Sequence, residues 1–467
     1  MIYNVKPKID FNIGVVLFSL ILVLLLKPKI SSPFDEIVNI GLSSIVCVNL
    51  IIFFNTNLKI FKSWVRYDLF FLLGFLILHF QIPFLAAIGI EPQRPNFIWI
   101  NKMVVNYATW LSAISMLMWQ LGFLIYLRGK KHLTLSELFT KNVKYNINYK
   151  LLDAFLVILF CLFLIVVGNN FLGGSYDVNS WGVGATYVYM LLKIFIFLRI
   201  IYFYVDLNHK HNFFRVIWEN KVGVLIVFLY SFLFLISGDR GPVLQIVSIN
   251  LVAYSLFYKN IKGHVLLFFL FSGAVLFGIL KEGRTRNVND RKGGIFTEGY
   301  EAYSKQQFNP TDEFASSVRI LYRALDVVPN QHPYLYGATL ISNTVDVIPF
   351  SSTFYNVPKI YSSSTLFFTI LGQGDFYTSG EGSEIIADLY INLGPYLTIA
   401  VFFVFGYFIS FLTFDVYFVK RHSILIIYLI LVTVAFYINR STFLNPLKII
   451  VYTLIIHRLL VRRIEII

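Results

Sequence analysis

A chain of 467 residues could form several soluble domains, but 57 % of this one is hydrophobic and only 14 % charged. Soluble proteins carry about 25 % charged residues, so too little polar surface is present to wet such a fold. The net charge of +14 comes without a basic block on a soluble fold, which speaks for membrane topology and against nucleic acid as partner. Cys47 and Cys161 both lie in apolar runs, which argues against a disulfide framework or a zinc site.

A membrane-crossing helix needs about 20 apolar residues. Twelve segments approach that measure, near 9–26, 36–54, 69–90, 103–127, 151–168, 184–204, 222–237, 242–258, 264–280, 395–414, 422–438 and 445–460. The first is short and lacks a small-residue cleavage site after it, so it reads as a retained anchor. The seventh and eighth are divided only by Gly238-Asp239-Arg240-Gly241-Pro242. Twenty-one Lys and Arg fall in one set of termini and alternate connections, including Lys130, Lys210 and Lys420, and six in the short connections of the other set. The positive-inside rule then places both termini in the cytoplasm. The expected fold is an all-α polytopic membrane protein of about twelve transmembrane helices: spans one to nine in 1–280, a large outer loop in 281–394, and spans ten to twelve in 395–467.

Long connections usually carry function or structure of their own. In this one Phe314, Val318, Leu321, Leu325 and Val328 recur at helical spacing, which predicts an amphipathic helix over 312–328. Ser383 is a candidate cap for a second helix opening at Glu384. The stretch 329–380, rich in Pro, Ser, Thr and Tyr, reads as an irregular cover.

Arginine concentrates on the outer side, against the topological bias. Arg284, Arg286 and Arg291 follow span nine, and Arg319 and Arg323 share one face of the amphipathic helix. Arg240 and Arg440 sit in very short outer turns. Guanidinium forks bind phosphate bidentately and stay charged, so these seven are candidate ligands of a lipid-linked diphosphate; a solvated charge run near headgroups is the alternative for 284–292. Glu381, Glu384, Asp388, Asp375 and Asp239 lie on the same side. Glu384, Asp388 and Asp239 are candidate general bases; ordinary first-turn helix charge also accounts for such acids.

Within the spans, Lys193 could serve function or pair with an acid, and Arg199 could snorkel to the cytoplasmic surface. His79, Gln81, Gln245 and Asn250 suit interhelical hydrogen bonds. The pair Asp35-Glu36 could ligate a metal or cap a helix. No Walker loop, HExxH, GxSxG or CxxC occurs, so ATP-driven transport, zinc proteolysis and serine hydrolysis gain no support.

Two stretches are similar to segments of the Wzy-type O-antigen or oligosaccharide repeat-unit polymerases. Ser237-Gly-Asp-Arg-Gly-Pro-Val-Leu resembles that family's SG-x-RGP-apolar turn. Gly382-Ser-Glu-Ile-Ile-Ala-Asp-Leu-Tyr-Ile-Asn-Leu-Gly394 resembles its G-x-x-(I/P)-A-E-x-Y-x-N-x-G run, with Asp388 where Glu is common. Ile348-Pro349 and Pro358-Lys359 resemble the proline-bounded segment of its loop, and the long connection late in the chain agrees with its layout. The R-x10-G pattern of some polymerases follows no arginine of the outer loop. The resemblance implies metal-independent glycosyl transfer at the periplasmic face of the bacterial inner membrane, with no cofactor. Donor and acceptor would be undecaprenyl-diphosphate-linked glycans, with a chain-length regulator as a further candidate partner beside the bilayer. An O-antigen ligase would share the donor and differ in acceptor. A flippase or secondary transporter would need charges lining a transmembrane cavity and commonly a central long connection.

Overall fold

A computed structural model describes residues 6–130, 143–168, 171, 184–210, 213–284, 295–304, 309–351, 354–355, 357–374, 380–419 and 421–466. Each of the twelve apolar segments is helical, from Lys6–Leu25 and Glu36–Phe61 at one end of the chain to His422–Val434 and Asn445–Leu460 at the other. Among the described residues, eight helices are long and apolar enough to cross a membrane, or nine if Phe213–Glu219 and Lys221–Ser237, bent by 87°, form one span. The chain is a multi-pass membrane protein. Gly241–Phe257, His422–Val434 and Asn445–Leu460 are shorter, at 17, 13 and 16 residues.

The centre is Val105–Gly129, buried along nearly its whole length. It packs backbone to backbone against Ile385–Phe414: an added Cβ would stand 2.0 Å from the Phe403 carbonyl oxygen at Gly122, and 1.9 Å from that of Trp119 at Gly406. Glycine at both positions is what permits so close an approach. Phe53, Phe71, Trp119, Phe123 and Phe405 fill the space around the crossing with rings 5.2–6.4 Å apart. Polar side chains inside the bundle bond across helices, as Asn49 does to Ser19 at 2.8 Å and Tyr202 to His457 at 2.8 Å. Arg199 does not reach for the surface; it is buried and donates to Asp153 at 2.7 Å and Asn220 at 2.6 Å.

Among the described residues the fold departs from all-α in one place. Val143–Ile147 pairs antiparallel with Val461–Ile466. Both are short runs rich in Val, Ile and Tyr, which fit a pleated surface.

The described residues of 329–380 carry more helix than an irregular cover, with Ala338–Val345, Lys359–Ser362 and Ser364–Gln373 formed, and Ile295–Tyr303 is helical ahead of them. The helix expected over 312–328 is present as Asp312–Ala315 and Arg319–Val327 joined by a tighter turn at Ser316–Val318. Val318, Leu321, Leu325 and Val328 are buried. These elements cover one end of the bundle: Thr311 bonds Gln81 at 2.7 Å, Asn101 bonds Asp326 at 2.6 Å, and the Leu335 N–H donates to the Ile391 carbonyl at 2.8 Å.

Candidate functional site

On the covered end of the bundle, short turns hold Arg240 and Arg440. Lys221–Ser237 stops at Gly238 in the left-handed conformation, φ +79°, and the next helix opens on Gly241-Pro242. Proline at that position costs no hydrogen bond, because helix-opening N–H groups lack intrahelical partners. Arg240 is thereby fixed between two helix ends. Arg440 closes the turn Tyr437–Arg440, which is pinned to Tyr67–Ala87 by Asn439, whose side-chain amide donates to the Phe71 carbonyl at 3.0 Å. Gly74 makes room for that turn: an added Cβ would stand 2.7 Å from Asn439 Nδ2.

Both arginines reach one acid. Arg240 Nη2 lies 2.5 Å from Glu313 Oε2, and Arg440 Nη1 lies 3.3 Å from Glu313 Oε1. Glu313 is held there by its neighbour Phe314, whose ring packs 4.5 Å from that of Phe436.

A second acid is gripped in the same way. Arg319 pairs with the Glu381 carboxylate and donates to the Glu381 carbonyl at 3.2 Å, and Arg323 Nη1 stands 3.7 Å from Glu381 Oε1. The Arg319 guanidinium lies over the Phe97 ring, 4.1 Å from its centroid, a cation–π contact that favours a planar cation. Burial lowers its pKa, with Glu381 opposing and the charges of Arg323 and Arg440 adding to the lowering. Among these six side chains the guanidinium groups outnumber the carboxylates by two.

The candidate bases are placed differently. Glu384, rather than Ser383, caps Ile385–Phe414, accepting from the Ile386 and Ala387 N–H groups at 2.7 Å each. Ser383 instead meets Ser364 at 2.8 Å. Carboxylates favour this position because they satisfy orphan donors at the positive end of the helix. His79 Nε2 stands 3.0 Å from Glu384 Oε1. Asp388 is fully buried and accepts from the Phe443 N–H at 2.8 Å, which ties the helix to the turn after Arg440. Asp239 accepts from the Gly241 N–H at 3.0 Å and is the electrostatic partner of Lys193. Asp239 is the chain neighbour of Arg240, while Glu384 and Asp388 secure the helix that follows Glu381.

Arg284 ends Gly263–Arg284, while Arg286, Arg291 and Asp375 lie outside the described residues. Asp35 caps Glu36–Phe61 by accepting from the Val38 N–H at 3.1 Å, which favours capping over metal binding for that pair. Sequence reasoning missed Glu313 and Phe97. Glu313 was the legible one, since it lies six residues before Arg319 on the same amphipathic stretch.

The chain matches no protein-family model, no curated protein and no solved structure at significance.

Proposed function

We propose that the protein is a Wzy-type polymerase, joining undecaprenyl-diphosphate-linked repeat units into a surface polysaccharide at the periplasmic face. The observation that carries this reading is the clamp itself: two carboxylates, Glu313 and Glu381, each held by two arginines. Paired guanidinium forks that grip carboxylates suit the two phosphates of a diphosphate equally well. In this reading the chain crosses twelve times with both termini in the cytoplasm, as the distribution of Lys and Arg supports.

The depth of the clamp suits a lipid-borne ligand. The helices Gly241–Phe257, His422–Val434 and Asn445–Leu460 border the turns of Arg240 and Arg440. At 1.5 Å per residue they rise about 20–26 Å, less than the roughly 30 Å hydrocarbon thickness. Helices this short suit turns that lie close to the lipid headgroups, where a diphosphate would be presented.

The chemistry follows from charge. An acceptor hydroxyl attacks the donor's anomeric carbon, the bond to the diphosphate oxygen breaks, and undecaprenyl diphosphate departs. The arginines neutralise the charge that develops on the leaving oxygen, and this differential stabilisation lowers the barrier. The diphosphate displaces Glu313 and Glu381 from their arginines. The acceptor proton passes to one of the carboxylates at the clamp, Asp239, Glu313 or Glu381. No metal is invoked.

The test is polymerisation by the purified protein in vesicles supplied with lipid-linked repeat unit, together with lipopolysaccharide gels of a deletion strain. A polymerase leaves one repeat unit on the lipid core when deleted. Loss of every repeat unit from the core, with polymer still forming on the carrier lipid, would assign the chain to a ligase instead.

A further inference from the structure

Away from the clamp, the stretch following Ala338–Val345 leaves large apolar side chains uncovered. Ile341 is 53 % exposed, Ile348 51 %, Phe350 69 % and Phe354 65 %. Between 338 and 358 the only charged residue is Asp346, which is exposed and accepts from the Ser351 hydroxyl at 3.2 Å. Phe350 also holds φ at +60°, a left-handed conformation that bulky residues avoid. A segment facing water gains nothing from such a side chain there.

Its contacts fix its level. The Tyr452 hydroxyl donates to the Val347 carbonyl at 2.8 Å, and the Phe350 ring lies 6.3 Å from that of Tyr187. Tyr452 is the eighth residue of Asn445–Leu460, about 10 Å along the helix from its start. Tyr187 is the third residue of Ala185–Lys210, whose apolar part is long enough to cross a membrane. The stretch thus lies beside the middle of Asn445–Leu460 and the start of the membrane-length helix Ala185–Lys210. Tyr452, Ile455 and Leu459 follow helical spacing, and Ile455 and Leu459 are 50 % and 79 % exposed. The uncovered patch continues that bare apolar stripe.

We infer that Ile348, Phe350 and Phe354 dip into the lipid leaflet on this face, with Tyr187 at the headgroup level that suits amphipathic rings. The occupant is lipid because the patch adjoins Tyr187 at the start of a helix long and apolar enough to cross a membrane, and because Asp346 is its one charged residue. The inference rests on the membrane architecture alone and stands whether or not the chain is a polymerase.

The experiment places an environment-sensitive fluorophore at Phe350→Cys in full-length protein carrying Cys47→Ala and Cys161→Ala. The protein is reconstituted in phosphatidylethanolamine–phosphatidylglycerol vesicles. The expected result is blue-shifted emission, largely lost when acyl-chain nitroxide lipid is included and little changed by aqueous iodide. Phe354→Cys, labelled in the same way, repeats the measurement should Phe350→Cys fold poorly. Ready quenching by iodide with none from the lipid nitroxide would put the segment in water and overturn the inference. Protection from both quenchers would overturn it as well, by making the patch a protein contact such as a second copy of the chain.

Discussion

His79 Nε2 stands 3.0 Å from Glu384 Oε1, and both side chains are fully buried. The same carboxylate caps Ile385–Phe414 by accepting from the Ile386 and Ala387 N–H groups, so an acid that the sequence offers as a base is engaged by the helix end. Its geometry is that of a bracket between Tyr67–Ala87 and the helix behind the clamp. Removing it leaves the helix without its cap and the Ile386 and Ala387 N–H groups without their acceptor. Loss of a cap costs about 0.5–2 kcal/mol, and an orphaned buried polar group about 1–3 kcal/mol. Glu384→Ala is therefore expected to lower the melting temperature in detergent and the yield of folded protein. Unchanged melting with abolished transfer would return Glu384 to the chemistry.

Glu313 makes the opposite prediction. It shares Arg240 and Arg440 with whatever anion binds there, so it competes with that anion. Glu313→Gln keeps the shape and removes the competing charge. Binding of inorganic pyrophosphate to the reconstituted protein is expected to tighten about tenfold, equivalent to roughly 1.4 kcal/mol, with the gain shrinking at high salt. Weaker binding would make Glu313 a part that orders the arginines, and the anion site would lie elsewhere.

Much of the bundle was legible because its signal is local. Apolar runs of the right length announce helices, and all twelve are there. The amphipathic stripe of Val318, Leu321, Leu325 and Val328 likewise announced its own buried face. What sequence could not show was which charges meet. Glu381 and Arg319 are far apart in the chain, and their contact depends on how Ser364–Gln373 and Arg319–Val327 pack. Ser383 looked like a cap by residue type, but the competing bond to Ser364 left that position to Glu384. The strands Val143–Ile147 and Val461–Ile466 went unseen because each is short and the partner lies at the other end of the chain.

Gly372 tests whether the reach of Arg323 matters. An added Cβ there would stand 1.8 Å from Arg323 Nη1 and 3.3 Å from Glu381 Oε1. The obstructed atom is the tip of a flexible side chain, so the backbone need not move. Gly372→Ala is expected to leave melting nearly unchanged while reducing polymerisation severalfold. Full activity would show that Arg323 works equally well from another rotamer.

Gly122 and Gly406 test the central crossing. Here the obstructing atoms are the carbonyls of Phe403 and Trp119, which cannot swing away as a side chain can. Either alanine would force the helices apart along a tightly packed seam. Overpacking commonly costs about 1–3 kcal/mol. Gly406→Ala should reduce folded yield and melting temperature, and Gly122→Ala Gly406→Ala should do so less than additively, since one displacement relieves both clashes. Additive losses would mean the two contacts yield independently.

The two arginines of the amphipathic helix separate fork recognition from bare charge. Arg319 does three things at once: it pairs with the Glu381 carboxylate, donates to the Glu381 carbonyl and lies over Phe97. A lysine is a point charge and cannot present a plane to the ring and a fork to the acid together. Arg323 stands farther from Glu381, at 3.7 Å, and has less to lose. A charged hydrogen bond contributes about 1.5–3 kcal/mol, which equals roughly ten- to hundredfold in rate if it forms only in the transition state. Arg319→Lys is expected to fall by that order in polymerisation of lipid-linked repeat unit, close to Arg319→Ala. Arg323→Lys should keep most activity, with Arg323→Ala well below it. Retention of wild-type rates by Arg319→Lys and Arg319→Ala alike would reduce Arg319 to surface charge, and the diphosphate would then rest on Arg240 and Arg440.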